Sequence, residues 1–106
     1  MKNFKIVLII AFLSGVATAF AAERTINQKG KLFSESEIAI KKGETVNFLN
    51  DDNIVHNVMS TSTGNEFNVG AAKPGTSTPV TFKNAGDVRV ICAIHPSMKL
   101  NVKVSN

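Results

Sequence analysis

Val88-Arg89-Val90-Ile91-Cys92-Ala93-Ile94-His95-Pro96-Ser97-Met98 begins as a strand and ends as a cluster of soft donor atoms. Val88, Val90 and Cys92 recur at the two-residue period of a strand face, and Arg89 falls on the other side. Cys92 to Met98 holds the only cysteine of the chain, one of its two histidines and a methionine. The other histidine, His56, stands upstream in Asn53-Ile54-Val55-His56-Asn57-Val58-Met59, where Ile54, His56 and Val58 share a face. An imidazole turned into an apolar interior has no water to satisfy it, so something inside must. A thiolate, two imidazoles and a thioether together suit copper in a trigonal two-histidine, one-cysteine plane with a weak axial methionine. Zinc has little use for the thioether, and magnesium and calcium want oxygen ligands. Singly, each residue has a plainer reading: Cys92 as an inert buried thiol, His56 as a satisfied core histidine, Met98 as core filling, Asn57 as a turn former. The combination is what points to a metal.

Outward from that stretch the chain keeps to short strands and polar turns. Leu100-Asn101-Val102-Lys103-Val104 alternates most cleanly, and Asn84-Ala85-Gly86-Asp87 turns the chain into Val88. Thr78-Pro79-Val80-Thr81-Phe82 reads as a strand whose proline belongs at an edge or bulge. Ile38 and Ile40 share one face, Lys42-Gly43-Glu44 turns, and Val46 and Phe48 share the next. Asn50-Asp51-Asp52-Asn53 is a turn rich in side chains that cap their own backbone. Ile54 to Met59 then predicts a third strand, followed by a Ser/Thr/Gly/Asn loop through residue 65. Roughly seven or eight such strands predict an all-β, two-sheet antiparallel sandwich. No segment predicts a full helix, though Phe67 to Lys73 could hold a short turn of one. There is no repeat, low-complexity tract or linker between domains.

Residues 1–21 have the form of a cleaved secretory signal peptide. Lys2 and Lys5 open it, Ile6 to Leu13 is unbroken apolar sequence, and Ala19-Phe20-Ala21 is an A-x-A site. Ser14, Gly15 and Thr18 interrupt the run, whereas a membrane anchor would want ~20 solidly apolar residues. Residues 22–106 then make one small domain. The two leader lysines leave with the leader, so the formal charge of +4 falls to +2. The remaining lysines are scattered, which gives no nucleic-acid footprint. One cysteine cannot form an internal disulfide, and an exposed free thiol is a liability after export. Metal ligation resolves that.

Ile38-Ala39-Ile40-Lys41-Lys42-Gly43-Glu44-Thr45-Val46-Asn47-Phe48-Leu49-Asn50, then Val55-His56-Asn57-Val58, Phe82-Lys83-Asn84-Ala85-Gly86 and the Cys92 loop resemble the small cupredoxins in content and order. The short Cys-x2-His-Pro-x-Met loop is most similar to that of the amicyanins. The resemblance implies an eight-stranded Greek-key sandwich with one copper near one end. It assigns His56 and His95 as imidazole ligands, Cys92 as thiolate and Met98 as axial thioether. It further implies that Asn57 ties the His56 strand to the cysteine loop close to the sulfur. The function implied is a periplasmic blue copper protein, not an enzyme, that carries one electron between redox partners. Those partners would be a cytochrome c or a periplasmic dehydrogenase or reductase, with the carrier a monomer that does not insert in the membrane. A copper chaperone or buffer is the other reading. Chaperones usually rely on exposed Met- or His-rich stretches, and two histidines are few for that or for a multicopper enzyme. Val88 and Val90 stand where the family often has aromatics, and Tyr and Trp are absent.

Overall fold

Alternating burial sorts the chain into nine strands, as described for residues 23–106 of a computed structural model. The leader expected over residues 1–21 lies outside the described residues. One sheet contains β1 (Glu23–Lys29), β2 (Leu32–Phe33), β4 (Thr45–Asn50) and β7 (Ser77–Thr81), in the order β2-β1-β4-β7. The other contains β3 (Glu37–Lys41), β5 (Met59–Ser60), β6 (Phe67–Asn68), β8 (Gly86–Ile91) and β9 (Lys99–Ser105), in the order β3-β9-β8-β5-β6. In β9, Leu100, Val102 and Val104 are buried between exposed Lys99, Asn101, Lys103 and Ser105. Such a strand can bury only one face, so the two sheets close on each other. Ile26, Phe48, Phe82, Val90, Leu100 and Val102 lie at the centre of the resulting core, and Cys92 and Met98 belong to the same cluster.

The sandwich is all-β, and its sheets are mixed rather than wholly antiparallel. β1 runs parallel to β4, and β3 runs parallel to β9. The chain steps between sheets after β2, β3, β4, β6 and β7, so a strand can re-enter beside an older one in either direction. Period-2 burial carries no information on that choice. Pro79 sits in β7 at the sheet edge, where its missing N–H breaks no ladder. Gly43 takes φ 90° in the turn between β3 and β4, and its N–H bonds the Phe82 carbonyl at 2.7 Å.

Two local expectations change. Phe67 to Lys73 forms no helical turn: Phe67 and Asn68 pair with Ser60 and Met59, and Ala72 bridges to His56. Ile54 to Met59 is a regular strand only at Met59, with His56 held by that isolated bridge. The Asn50 side chain explains this, since its Nδ2 donates to the Ile54 carbonyl at 2.8 Å and the Ala72 carbonyl at 2.9 Å. Side-chain capture of backbone groups competes with a ladder. The result is three irregular segments, 51–58, 69–76 and 92–98, gathered at one end of the sandwich.

Phe82 is fully buried and meets Phe67 edge to face at 5.7 Å. Phe82→Ala should destabilise the metal-free protein by about 3–5 kcal/mol in urea unfolding; a loss below about 1 kcal/mol would show that this end of the core is not close-packed.

Candidate metal centre

Strand β8 delivers Cys92 to the interior because Val88 and Val90, on the same face, are already there. The chain then makes a tight excursion, closed by Met98 N–H to the His95 carbonyl at 2.9 Å and Cys92 N–H to the Met98 carbonyl at 3.4 Å. Both ends of this loop, Cys92 and Met98, are fully buried. Its middle faces outward: Ile94 is 51% exposed and His95 half-buried. His56 arrives from the other sheet connection and is fully buried. Its N–H and C=O pair with Ala72 at 3.1 and 2.7 Å, which fixes the backbone behind the ring.

The donor atoms of His56, Cys92 and His95 all lie within 4.8 Å of one another. Cys92 Sγ is 4.0 Å from His56 Nδ1 and 3.8 Å from His95 Nδ1, and the two rings meet at 67° with centroids 5.1 Å apart. A metal with bonds of about 2.3 Å to sulfur and about 2.0 Å to nitrogen, opened to a trigonal plane, needs these atoms about 3.7 Å apart. The observed separations meet that requirement. Two nitrogens and one sulfur without an oxygen donor exclude the hard cations.

Asn57 joins the two halves of the cluster. Its backbone N–H points at Cys92 Sγ at 3.3 Å, and its Oδ1 accepts from Ala93 N–H at 3.0 Å. Nδ2 donates to Asn68 Oδ1 and to the Gly70 carbonyl, both at 2.9 Å. The Asn57 side chain therefore ties its own segment to residues 68–70 and to the cysteine loop.

Three residues that sequence reasoning missed complete the surroundings. Asp52 Oδ2 accepts from His56 Nε2 at 2.9 Å, which leaves Nδ1 free to face the sulfur. That hydrogen bond holds the Asp52 carboxyl below the usual carboxylate range, against the opposing effect of burial, with help from the N–H groups of Asn53 and Lys31. Asn50 and Gln28, neighbours in the β1–β4 register, are both fully buried beneath the cluster. Gln28 Nε2 donates to the Asn57 carbonyl at 3.2 Å. Asp52 was legible only as a turn former, although its spacing four residues before His56 allows it to turn back onto the ring. Gln28 carried no signal beyond interrupting the apolar face of its strand.

The model of the copper-binding proteins of the plastocyanin/azurin family matches residues 21–105. No curated protein sequence matches significantly. Among solved structures, a purple cupredoxin from Nitrosopumilus maritimus is similar with a TM-score of 0.68 and 24% identity, over 77% of this chain and 99% of that one. A reduced amicyanin variant gives 0.72 and 22%, over 87% of this chain and 89% of that one. A copper-containing nitrite reductase from Thermus scotoductus gives 0.75 and 24%, over 87% of this chain and 24% of the reductase. With a converged nitrogen–sulfur donor set on a two-sheet sandwich, and a family model that spans nearly all of the described residues, this chain is a cupredoxin, a member of the copper-binding plastocyanin/azurin family with one copper site.

Proposed function

We propose that the protein is a type 1 copper electron carrier that works in the periplasm, with His56, Cys92, His95 and Met98 as its ligands. The observation that carries this reading is the triangle of His56, Cys92 and His95, already at metal-binding separations within a hydrogen-bonded frame. Bound copper supplies a one-electron couple, Cu(II)/Cu(I). The protein's part is to hold the donors still. Cys92 and His56 are locked by buried neighbours, and the Met98 backbone fixes the loop so that its thioether can serve as the weak axial donor. Asp52 orients His56. Full burial of Cys92 and His56 excludes water and suits retention of the metal better than its transfer, which favours a carrier over a chaperone.

His95 is the exposed end of the site, and two of the three large exposed apolar residues among the described residues, Val55 and Ile94, precede His56 and His95 in the chain. A small apolar patch around an imidazole edge suits brief, low-area contact with a redox protein, a cytochrome c or a periplasmic dehydrogenase or reductase. Surface grooves of about 440 Å³ beside Phe67 and Val80 and about 310 Å³ beside Arg89 include none of the donors in their linings. The A-x-A segment at Ala19-Phe20-Ala21 supports export. No helix among the described residues is long and apolar enough to cross a membrane.

Copper-loaded protein should be intensely blue from thiolate-to-copper charge transfer. Cys92→Ser should abolish the band, because a hydroxyl is a hard, poorly ionised donor; a variant that stays equally blue would exclude Cys92 as the ligand. Met98→Gln should retain copper and lower the reduction potential, since an oxygen donor favours Cu(II), and an unchanged potential would make Met98 core filling.

Asp52→Ala should lower copper affinity roughly 10–100-fold in chelator competition, with Asp52→Asn milder because an acceptor oxygen remains. Equal affinity in all three proteins would leave the ring oriented by packing alone.

Ile94→Lys should slow electron self-exchange between two copies at least roughly tenfold at low salt, through like-charge repulsion at the patch. The visible spectrum should not change. A self-exchange rate equal to wild type would place the electron exit elsewhere.

A further inference from the structure

Gln28 is fully buried in β1, two residues after fully buried Ile26 on the same face. Its Oε1 is the buried side-chain oxygen without a hydrogen-bond partner among the described residues. A buried amide with half of its hydrogen bonding unmet is destabilising, and a leucine there would simply extend the apolar face. Packing alone therefore gives no reason for glutamine. Its Nε2 gives one. It is the donor to the Asn57 carbonyl, at 3.2 Å, and the N–H of the same residue meets Cys92 Sγ at 3.3 Å.

We propose that Gln28 is a positioning residue for the copper thiolate: by holding the Asn57 carbonyl it fixes the direction in which Asn57 N–H meets Cys92 Sγ, and so sets the reduction potential. This rests on Cys92 being the thiolate ligand. An N–H directed at sulfur stabilises negative charge there. The reduced site carries more of that charge on sulfur than the oxidised site, so a firm N–H contact favours Cu(I) and a loose one favours Cu(II). Asn57 keeps its side-chain bonds to Ala93, Asn68 and Gly70 when Gln28 is changed, so the donor cluster stays assembled and only the aim of the N–H relaxes.

The test compares wild type with Gln28→Leu and Gln28→Met, which both remove the donor while the second keeps the chain length. Each variant should load one copper and remain blue. The Cu(II)/Cu(I) equilibrium should move roughly three- to tenfold toward Cu(II), a fall in potential of about 30–60 mV. In the metal-free proteins, exchange of the Asn57 backbone amide should be roughly three- to tenfold faster in the variants, the range expected for loss of one hydrogen bond. An unchanged potential, or a shifted potential with unchanged Asn57 exchange, overturns the proposal. Should neither variant fold, metal-free wild type decides the matter: the Gln28 side-chain N–H should be protected and show scalar coupling to the Asn57 carbonyl carbon, and absence of that coupling overturns the proposal. A wild-type protein that binds copper without a blue band would instead remove the thiolate reading, which the amide measurements do not depend on.

Discussion

The contact of Asn57 N–H with Cys92 Sγ is the constraint around which this end of the sandwich is arranged. Cys92 is fully buried and has no disulfide partner, so its sulfur must be stabilised from within. Asn57 does this with its backbone while its side chain holds Ala93, Asn68 and Gly70. Ala93 and Gly70 belong to segments that the strand ladders leave irregular, and Asn68 closes β6 beside them. A residue that satisfies several buried polar groups at once is hard to replace, since each partner left unpaired is destabilising by about 1–3 kcal/mol. The donor triangle follows from this frame: His56 is the residue before Asn57, and the cysteine loop is pinned to Asn57 at both Cys92 and Ala93.

Much of this was legible in the sequence, for a physical reason. β3, β4, β8 and β9 bury one face each, so apolar residues alternate and the strands announce themselves. The donor loop was legible because copper demands unusual side chains at close spacing. β1 was not, because its buried face reads Ile26 then Gln28, and a polar residue inside erases the alternation. β2 and β6 are two residues long and leave no period to detect. The β1–β2 hairpin turns through Gly30 and Lys31, both at positive φ, and a lysine gives little warning of that conformation. The parallel pairings, like the return of Asp52 onto His56, depend on where distant or turning segments meet. Polar residues chosen for the site are thus the ones that hide the fold.

The two histidines do different work because the chain treats them differently. His56 is enclosed, bonded through its backbone to Ala72 and through its ring to Asp52. His95 sits in a loop whose other middle residues, Ala93, Ile94, Pro96 and Ser97, are uncharged. One imidazole anchors the cluster and the other brings it to the surface. The loop can afford this exposure because its ends, Cys92 and Met98, are embedded in the core.

The fold of this chain is shared in part with an enzyme. The similarity to the nitrite reductase covers 24% of that protein, and a sandwich of this kind is compatible with either role. In these 106 residues there are two histidines and one cysteine, and all three lie in a single cluster. These imidazoles and this thiolate are gathered for one copper. The one site has its sulfur and one imidazole sealed and only the His95 side reaching solvent. The proposed carrier role rests on that geometry, since exchange of an electron needs no more than contact at an imidazole edge.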